Sequence, residues 1–294
     1  MQLKYYKDPV GNFGDDLNPW LWDKLLPGFI DNEDDGNIML GVGTILEPWF
    51  IEDIPTNKRK FVVGSGAGMC IPTAKLDKSW EVICVRGPLT ASYLGLDIDV
   101  AATDPAMCIR DFWPQSKNLK EKVGFMPHHK SLKRFNWKQV CQDAGLEYVD
   151  PEAAYLDTME QISNLRLIIT EAMHGAIVAD AIRVPWFPLQ ISPTNYVGKW
   201  HDWGASIGMP IHFRPLPDLY DPLHEVSIQS VFEKGLRPGI YEMRQKSSRK
   251  ERAQAVHLLQ SYAEHYSSYL SDDKDLDRAI DIFRSKLQKI HKLV

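Results

Sequence analysis

Four short apolar runs in the first third of the chain, each closed by glycine or a polar residue, constrain the fold more than any other feature. They are IMLGVGT (38–44), FVVGSGAG (61–68), EVICVRGP (81–88) and VAATDPAM (100–107). Each has the length and Val/Ile content of a strand buried on both faces, the habit of parallel sheets. Between the third and fourth lies PLTASYLGL, whose Pro88 suits the first turn of a helix. Strand, glycine loop and helix in alternation specify a parallel sheet with helical crossovers. In such sheets ligands sit beyond the carboxyl ends of the strands, so the glycine loops are expected to gather along one edge.

A second series begins after a polar, Pro-containing stretch at 111–122. VGFMPHH (123–129), EYVDP (147–151), LRLIIT (165–170) and VPWFPLQI (184–191) read as strands. FNWKQVCQDAGL, with Gly145 near its end, TMEQISNL and HGAIVADAI read as helices between them. The expectation is two α/β domains, 1–115 and 116–221, with a cleft between them. From 222 to 294 helical patterning takes over, as a tail packing back on the domains. Its final segment sets Leu276, Ile280, Phe283, Leu287, Ile290 and Val294 on one face. Ser271 is the expected N-cap there, with Asp272 and Asp273 suiting the positive end of the helix.

Composition narrows the partners. A net charge of −5 and no long basic stripe argue against nucleic-acid binding. Cys70, Cys84, Cys108 and Cys141 are scattered without CxxC spacing, which reads as buried thiols rather than a disulfide framework or a zinc site. The N-terminus lacks the apolar core of a signal peptide, and no apolar run reaches membrane-spanning length, so a cytoplasmic protein is expected. Trp20, Trp49, Trp186, Trp200 and Trp203 stand beside loop signals. There rings either frame a cleft or cap the core, and capping the core is the ordinary role.

The candidate chemistry lies where strands end. His174 follows LRLIIT at the start of a helix, so Gly175 and the free amides around it favour an anion beside a ring that can move a proton. Arg86 follows VICV directly and has the planar fork that grips a carboxylate or phosphate. The loop VGNFGDDLNPW (10–20) offers Asn12 and two adjacent carboxylates, Asp15 and Asp16; one suits accepting a proton from a hydroxyl, the other capping a helix. Gly43 and Thr44 in GVGT, and Ser65 and Gly66 in GSGAG, supply amides and hydroxyls for anions. Neither stretch is a dinucleotide fingerprint or a P-loop. Asp104 ends the fourth run. His128 and His129 end the first strand of the second series, and on a strand only one of the two faces the cleft.

In combination and order these motifs resemble the polysaccharide pyruvyl transferases. GNFGDDLNPW, GVGTIL, GSGAGM, VRGPLTASYLGL, TDPAM, the PHH strand end and EAMHGAIVADAIRVPW carry the resemblance, over roughly residues 5 to 205. It implies two Rossmann-like domains in a glycosyltransferase-B-like arrangement. The implied activity is transfer of the pyruvyl group of phosphoenolpyruvate to sugar hydroxyls of a glycan, with a lipid-linked precursor at the inner membrane face as the expected acceptor. Arg86 and His174 match the family's donor-binding arginine and histidine, and loss of either is expected to cut turnover severely without unfolding the chain. Members often carry an arginine where this chain has Ala172, so either another cation, Lys199 or Arg183, is expected to compensate, or the helix amides carry more of the phosphate. Glu171 is expected to orient the histidine or meet the acceptor. The scheme needs no nucleotide, flavin or metal. The competing readings are a nucleotide-sugar glycosyltransferase on a similar fold and a non-catalytic binding protein.

Overall fold

The computed structural model describes residues 1–31, 36–68, 73–114, 121–192, 196–221, 224, 246–265 and 267–292. Its first part runs β1 (Gln2–Lys4), α1 (Phe13–Asp16), α2 (Asn18–Leu25), β2 (Asn37–Leu40), α3 (Pro48–Ile51), β3 (Arg59–Val63), β4 (Trp80–Cys84) and α4 (Pro88–Tyr93). The four strands form one parallel sheet in the order β1-β2-β3-β4. The fourth apolar run departs from expectation. Ala101 makes a single parallel bridge to Val85, and Pro105–Asp111 then winds into a 3-10 helix. Pro105 has no N–H to give a ladder, and the Asp104 carboxylate accepts from the Ala106 amide at 3.0 Å, which starts the helix instead.

The second part runs β5 (Val123–Met126), α5 (His129–Leu132), α6 (Trp137–Ala144), β6 (Glu147–Tyr148), α7 (Tyr155–Ser163), β7 (Leu167–Thr170), α8 (Met173–Ala181), β8 (Trp186–Gln190), α9 (Gly198–Ser206) and β9 (Arg214–Pro215). These strands make a second parallel sheet, ordered β6-β5-β7-β8-β9. Every residue of β5 and β7 is buried, as their unbroken apolar runs require. After β5 the chain steps outward to β6, then returns to the other side of β5 for β7. The order therefore reverses between β5 and β7, where doubly wound sheets bind ligands.

Two tail helices, α10 (Arg249–His265) and α11 (Asp273–Leu287), divide their attention. Ala255, Leu259 and Tyr262 of α10 join the core of the second sheet with Val140 and Phe187. Leu276, Ile280, Phe283 and Leu287 of α11, with Ile290 just beyond it, join a core that holds Cys84 of β4 and Met107. Val294 and Cys70 lie outside the described residues; Cys84, Cys108 and Cys141 are buried free thiols. Ser271 does not cap α11, because Asp272 occupies that position. Ser271 instead donates its backbone amide and hydroxyl to the buried Asp180 carboxylate. Tyr269 is tied to β8 by two backbone hydrogen bonds to Trp186, and the two rings stack at 4.9 Å. One core cluster draws on both sheets, from Met39 and Phe61 to Ile168, Ile177 and Phe283. Among the described residues no helix is long and apolar enough to cross a membrane.

Candidate active site

Loops from the carboxyl ends of both sheets close around a cavity of about 370 Å³. The first part of the chain contributes Tyr6, Asn12, Phe13, Gly14, Asp15, Thr44, Ile45 and Trp49. The second contributes His128, His129, Lys130, Pro151, Ala172, Met173, His174 and Lys199.

His174 reaches it from the first turn of α8. At the end of β7 the Thr170 hydroxyl accepts from the Ala172 amide at 3.0 Å and donates to the Ala172 carbonyl at 2.9 Å, which turns the chain into the helix. The Nδ1 edge of the ring lies against Gly14, where a Cβ would stand 1.9 Å from Nδ1; only glycine lets α1 come this close. On the other edge Nε2 faces Asp104 Oδ2 at 3.6 Å. Neither atom has a hydrogen-bond partner among the described residues, and both are buried. Two orphaned polar atoms facing each other are costly, and a proton on the imidazole converts them into an ion pair.

Asp15 faces the cavity and accepts from the Asn12 amide group at 2.7 Å. Burial pushes its carboxyl up to about 6; His174 and Lys199 pull the other way and Asp16 adds to the rise. The pair of adjacent acids is thereby split. Asp16 accepts from the Asn12 backbone amide at 2.9 Å, closing the turn that opens α1, and it stays off the cavity wall. Behind them the buried Asn18 side chain holds α2 to the glycine loop, donating to the Asp15 and Val42 carbonyls while its oxygen accepts from the Val42 amide and the Trp22 indole.

Lys199, in the first turn of α9, supplies an ammonium group whose pKa is pushed down to about 8, by burial first and by Arg86 next. Lys130 adds a second ammonium group. Burial holds His128 well below the usual imidazole range and His129 at about 4, so both rings stay neutral near pH 7. Both line the cavity, contrary to the alternation expected along a strand, because β5 stops at Met126 and the two rings sit in the turn into α5, 4.2 Å apart. The cavity thus presents cations and neutral donors around one carboxylate, a setting for a small anion.

Several expected residues stand behind the wall. The Arg86 guanidinium is fully buried; its Nε donates to Asp202 at 3.1 Å and Nη1 to the Thr44 hydroxyl at 2.9 Å. Asp202 also accepts from the amides of Leu89 and Thr90 and from the Thr90 hydroxyl, so the pair pins α4 to α9. Arg86 reaches the cavity through Thr44. The expectation that the chain loses Arg86 without harm to its fold runs against this burial, since Asp202 would remain as a buried charge without its cation. Gly66 lies flat on the guanidinium, and a Cβ there would stand 2.1 Å from its central carbon. Ser65 donates to the Gly41 carbonyl at 2.6 Å. Gly43, at φ 137, turns the backbone beside Asp15, and Gly175 packs α8 against Met126 and Thr170. Glu171 does not line the cavity: its carboxylate accepts from the amides of His128, Ile191 and Ser192, bracing the ends of β5 and β8. Arg183 pairs with Asp180 of α8 and with Ser271 and Asp273 of the tail and does not line the cavity, whereas Lys199 lines it together with Ala172.

Sequence reasoning missed Tyr6, Ile45 and Lys130, and for Trp49 it favoured capping the core over the alternative of framing a cleft. Lys130 follows the two histidines directly and was open to the same strand-end argument. Tyr6 had no such signal, since β1 lacks an apolar run.

A two-sheet α/β fold brings an acid, an imidazole and two ammonium groups together beyond its strand ends, the groups an enzyme needs to move protons and hold negative charge. The family model for polysaccharide pyruvyl transferase matches residues 5–193, and the chain belongs to that family. It is 39% identical over 220 residues to the succinoglycan biosynthesis protein ExoV of Rhizobium meliloti, covering 74% of this chain and 68% of that one. A crystal structure of an uncharacterized Klebsiella pneumoniae protein aligns with a TM-score of 0.45 at 14% identity, over 73% of this chain and 92% of that one.

Proposed function

We propose that this pyruvyl transferase takes its pyruvyl group from phosphoenolpyruvate, passes it to two hydroxyls of one sugar in a glycan precursor, and releases phosphate. The observation that carries this reading is the meeting of Asp15 and His174 in one cavity beside Lys199 and Lys130. A carboxylate and a phosphate on three carbons need two cationic grips. The two lysines, with the amides at the start of α8, supply them.

In the proposed reaction His174, protonated and held by Asp104, gives its proton to the methylene carbon of the enol. Positive character then develops at the carbon bearing the phosphate. Asp15 takes the proton of the first sugar hydroxyl as its oxygen bonds to that carbon. A second hydroxyl of the same sugar attacks, its proton leaves with the phosphate, and a cyclic ketal results. Asp104 acts through His174 and Arg86 through Thr44.

In this reading the two sheets belong to Rossmann-like domains, 1–115 and 116–221, arranged as in glycosyltransferase-B enzymes, with 222–294 as tail. The acceptor is an exopolysaccharide precursor carried on lipid at the cytoplasmic membrane face; the name of the Rhizobium relative, a succinoglycan biosynthesis protein, supports the acceptor class. Phosphate release and acceptor mass, followed in a mixture of enzyme, phosphoenolpyruvate and lipid-linked oligosaccharides, test it. The expected result is a glycan carrying one pyruvyl ketal per phosphate released. Consumption of a nucleotide sugar with phosphoenolpyruvate left intact would overturn it.

A further inference from the structure

The proposed reaction leaves one wall of the cavity without a task. Trp49, on α3, is 55% exposed in a fold where Trp22, Trp137, Trp186 and Trp203 are fully buried. Its ring nevertheless has neighbours that hold it. Tyr6 meets it edge-on at 6.0 Å and 85°, Phe50 at 5.5 Å and 82°, and Pro48 fixes the first turn beneath. A large apolar ring kept in water beside a catalytic cavity marks a binding surface.

Trp49 and Tyr6 border two depressions at once. One is the catalytic cavity; the other is a recess of about 390 Å³ whose walls include Lys7 and Asp53. The aromatic pair is thus a ridge leading from the reacting groups to a second, polar hollow. A hexopyranose matches such a ridge, with an apolar face of C–H bonds to lay on indole and hydroxyls at its rim for an ammonium and a carboxylate. Phosphoenolpyruvate has no such face, and its cationic partners lie elsewhere.

We propose that Trp49, braced by Tyr6, stacks on the hexopyranose next to the one modified, and that the recess beyond takes the following sugars. The enzyme then selects an extended oligosaccharide over a short one. This rests on the proposed function only in taking the acceptor to be a glycan.

Calorimetric titration without donor tests it, with methyl β-glucoside and β-linked glucose hexasaccharide as probes for the wild type, Trp49→Ala and Trp49→Phe. The expected result is hexasaccharide binding about tenfold tighter than the glucoside in the wild type. Trp49→Ala should erase most of that difference with glucoside affinity and melting temperature unchanged, and Trp49→Phe should keep more of it. Equal affinities in the wild type, or an unaltered difference in Trp49→Ala, overturn the proposal. Phosphate release from phosphoenolpyruvate is measured separately: length-selective binding with no release sinks the donor assignment and leaves the ridge standing, while the reverse sinks the ridge alone.

Discussion

Asp15→Asn separates the chemistry of the cavity from its cost. The fold raises this carboxyl from 3.8 to about 6, so the folded chain holds the proton roughly a hundred times more tightly than the unfolded one. Below pH about 4 both states are protonated and nothing is lost. As pH rises toward about 6 the unfolded chain releases its proton first and stability falls. Above that the full cost, about 3 kcal/mol, persists. Asparagine has the same shape, still accepts from Asn12, and carries no charge. The variant should therefore gain up to about 3 kcal/mol at pH 7.5, a rise in melting temperature of roughly 5 °C, and gain almost nothing at pH 4. Turnover should fall about 100- to 10,000-fold, the usual worth of a general base. Denaturant titrations at the two pH values and phosphate release at pH 7.5 read both effects. Equal stability changes at the two pH values, or a variant that keeps its turnover, would refute the assignment of Asp15 as a buried base.

With Asp15 active when deprotonated and Lys199 when protonated, turnover should follow a bell with limbs near pH 6 and pH 8. Lys199→Met should move the alkaline limb and raise the KM for phosphoenolpyruvate, seen in a pH series of initial rates. Arg86→Ala should lose about 3–5 kcal/mol of stability, because Asp202 stays buried without its partner. Urea unfolding checks this, and the double variant Arg86→Met, Asp202→Leu should recover part of the loss. Gly14→Ala drives a methyl group into the His174 ring. It should cut turnover nearly as far as His174→Ala does while phosphoenolpyruvate binding survives, which single-turnover kinetics and calorimetry separate.

Strands buried on both faces were legible because a parallel sheet writes them as unbroken apolar runs, and β2, β3, β5, β7 and β8 coincide with such runs. β1 and β9 were not legible: they are edge strands of three and two residues with no run to betray them. At the cavity, the strand-end rule located Thr44, His128 and His174, since loop position follows from sheet direction alone, while Asp15 was found from the paired carboxylates of its glycine loop. It did not distinguish a group on the wall from one behind it. That distinction for Arg86 depends on Asp202, a residue far along the chain whose approach no local pattern records. Trp49 was hidden for the opposite reason, because tryptophan beside a loop reads as core filler until its exposure is known.

The helix α11 lays Phe283 against Gly64 and joins Cys84 in one core. On the ribosome the first sheet must therefore emerge, wait through synthesis of the whole second sheet, and hold its apolar flank uncovered until α11 appears. That interval makes the nascent chain a natural client for a holding chaperone. It also makes a premature stop anywhere before α11 a route to aggregation rather than to a smaller working enzyme.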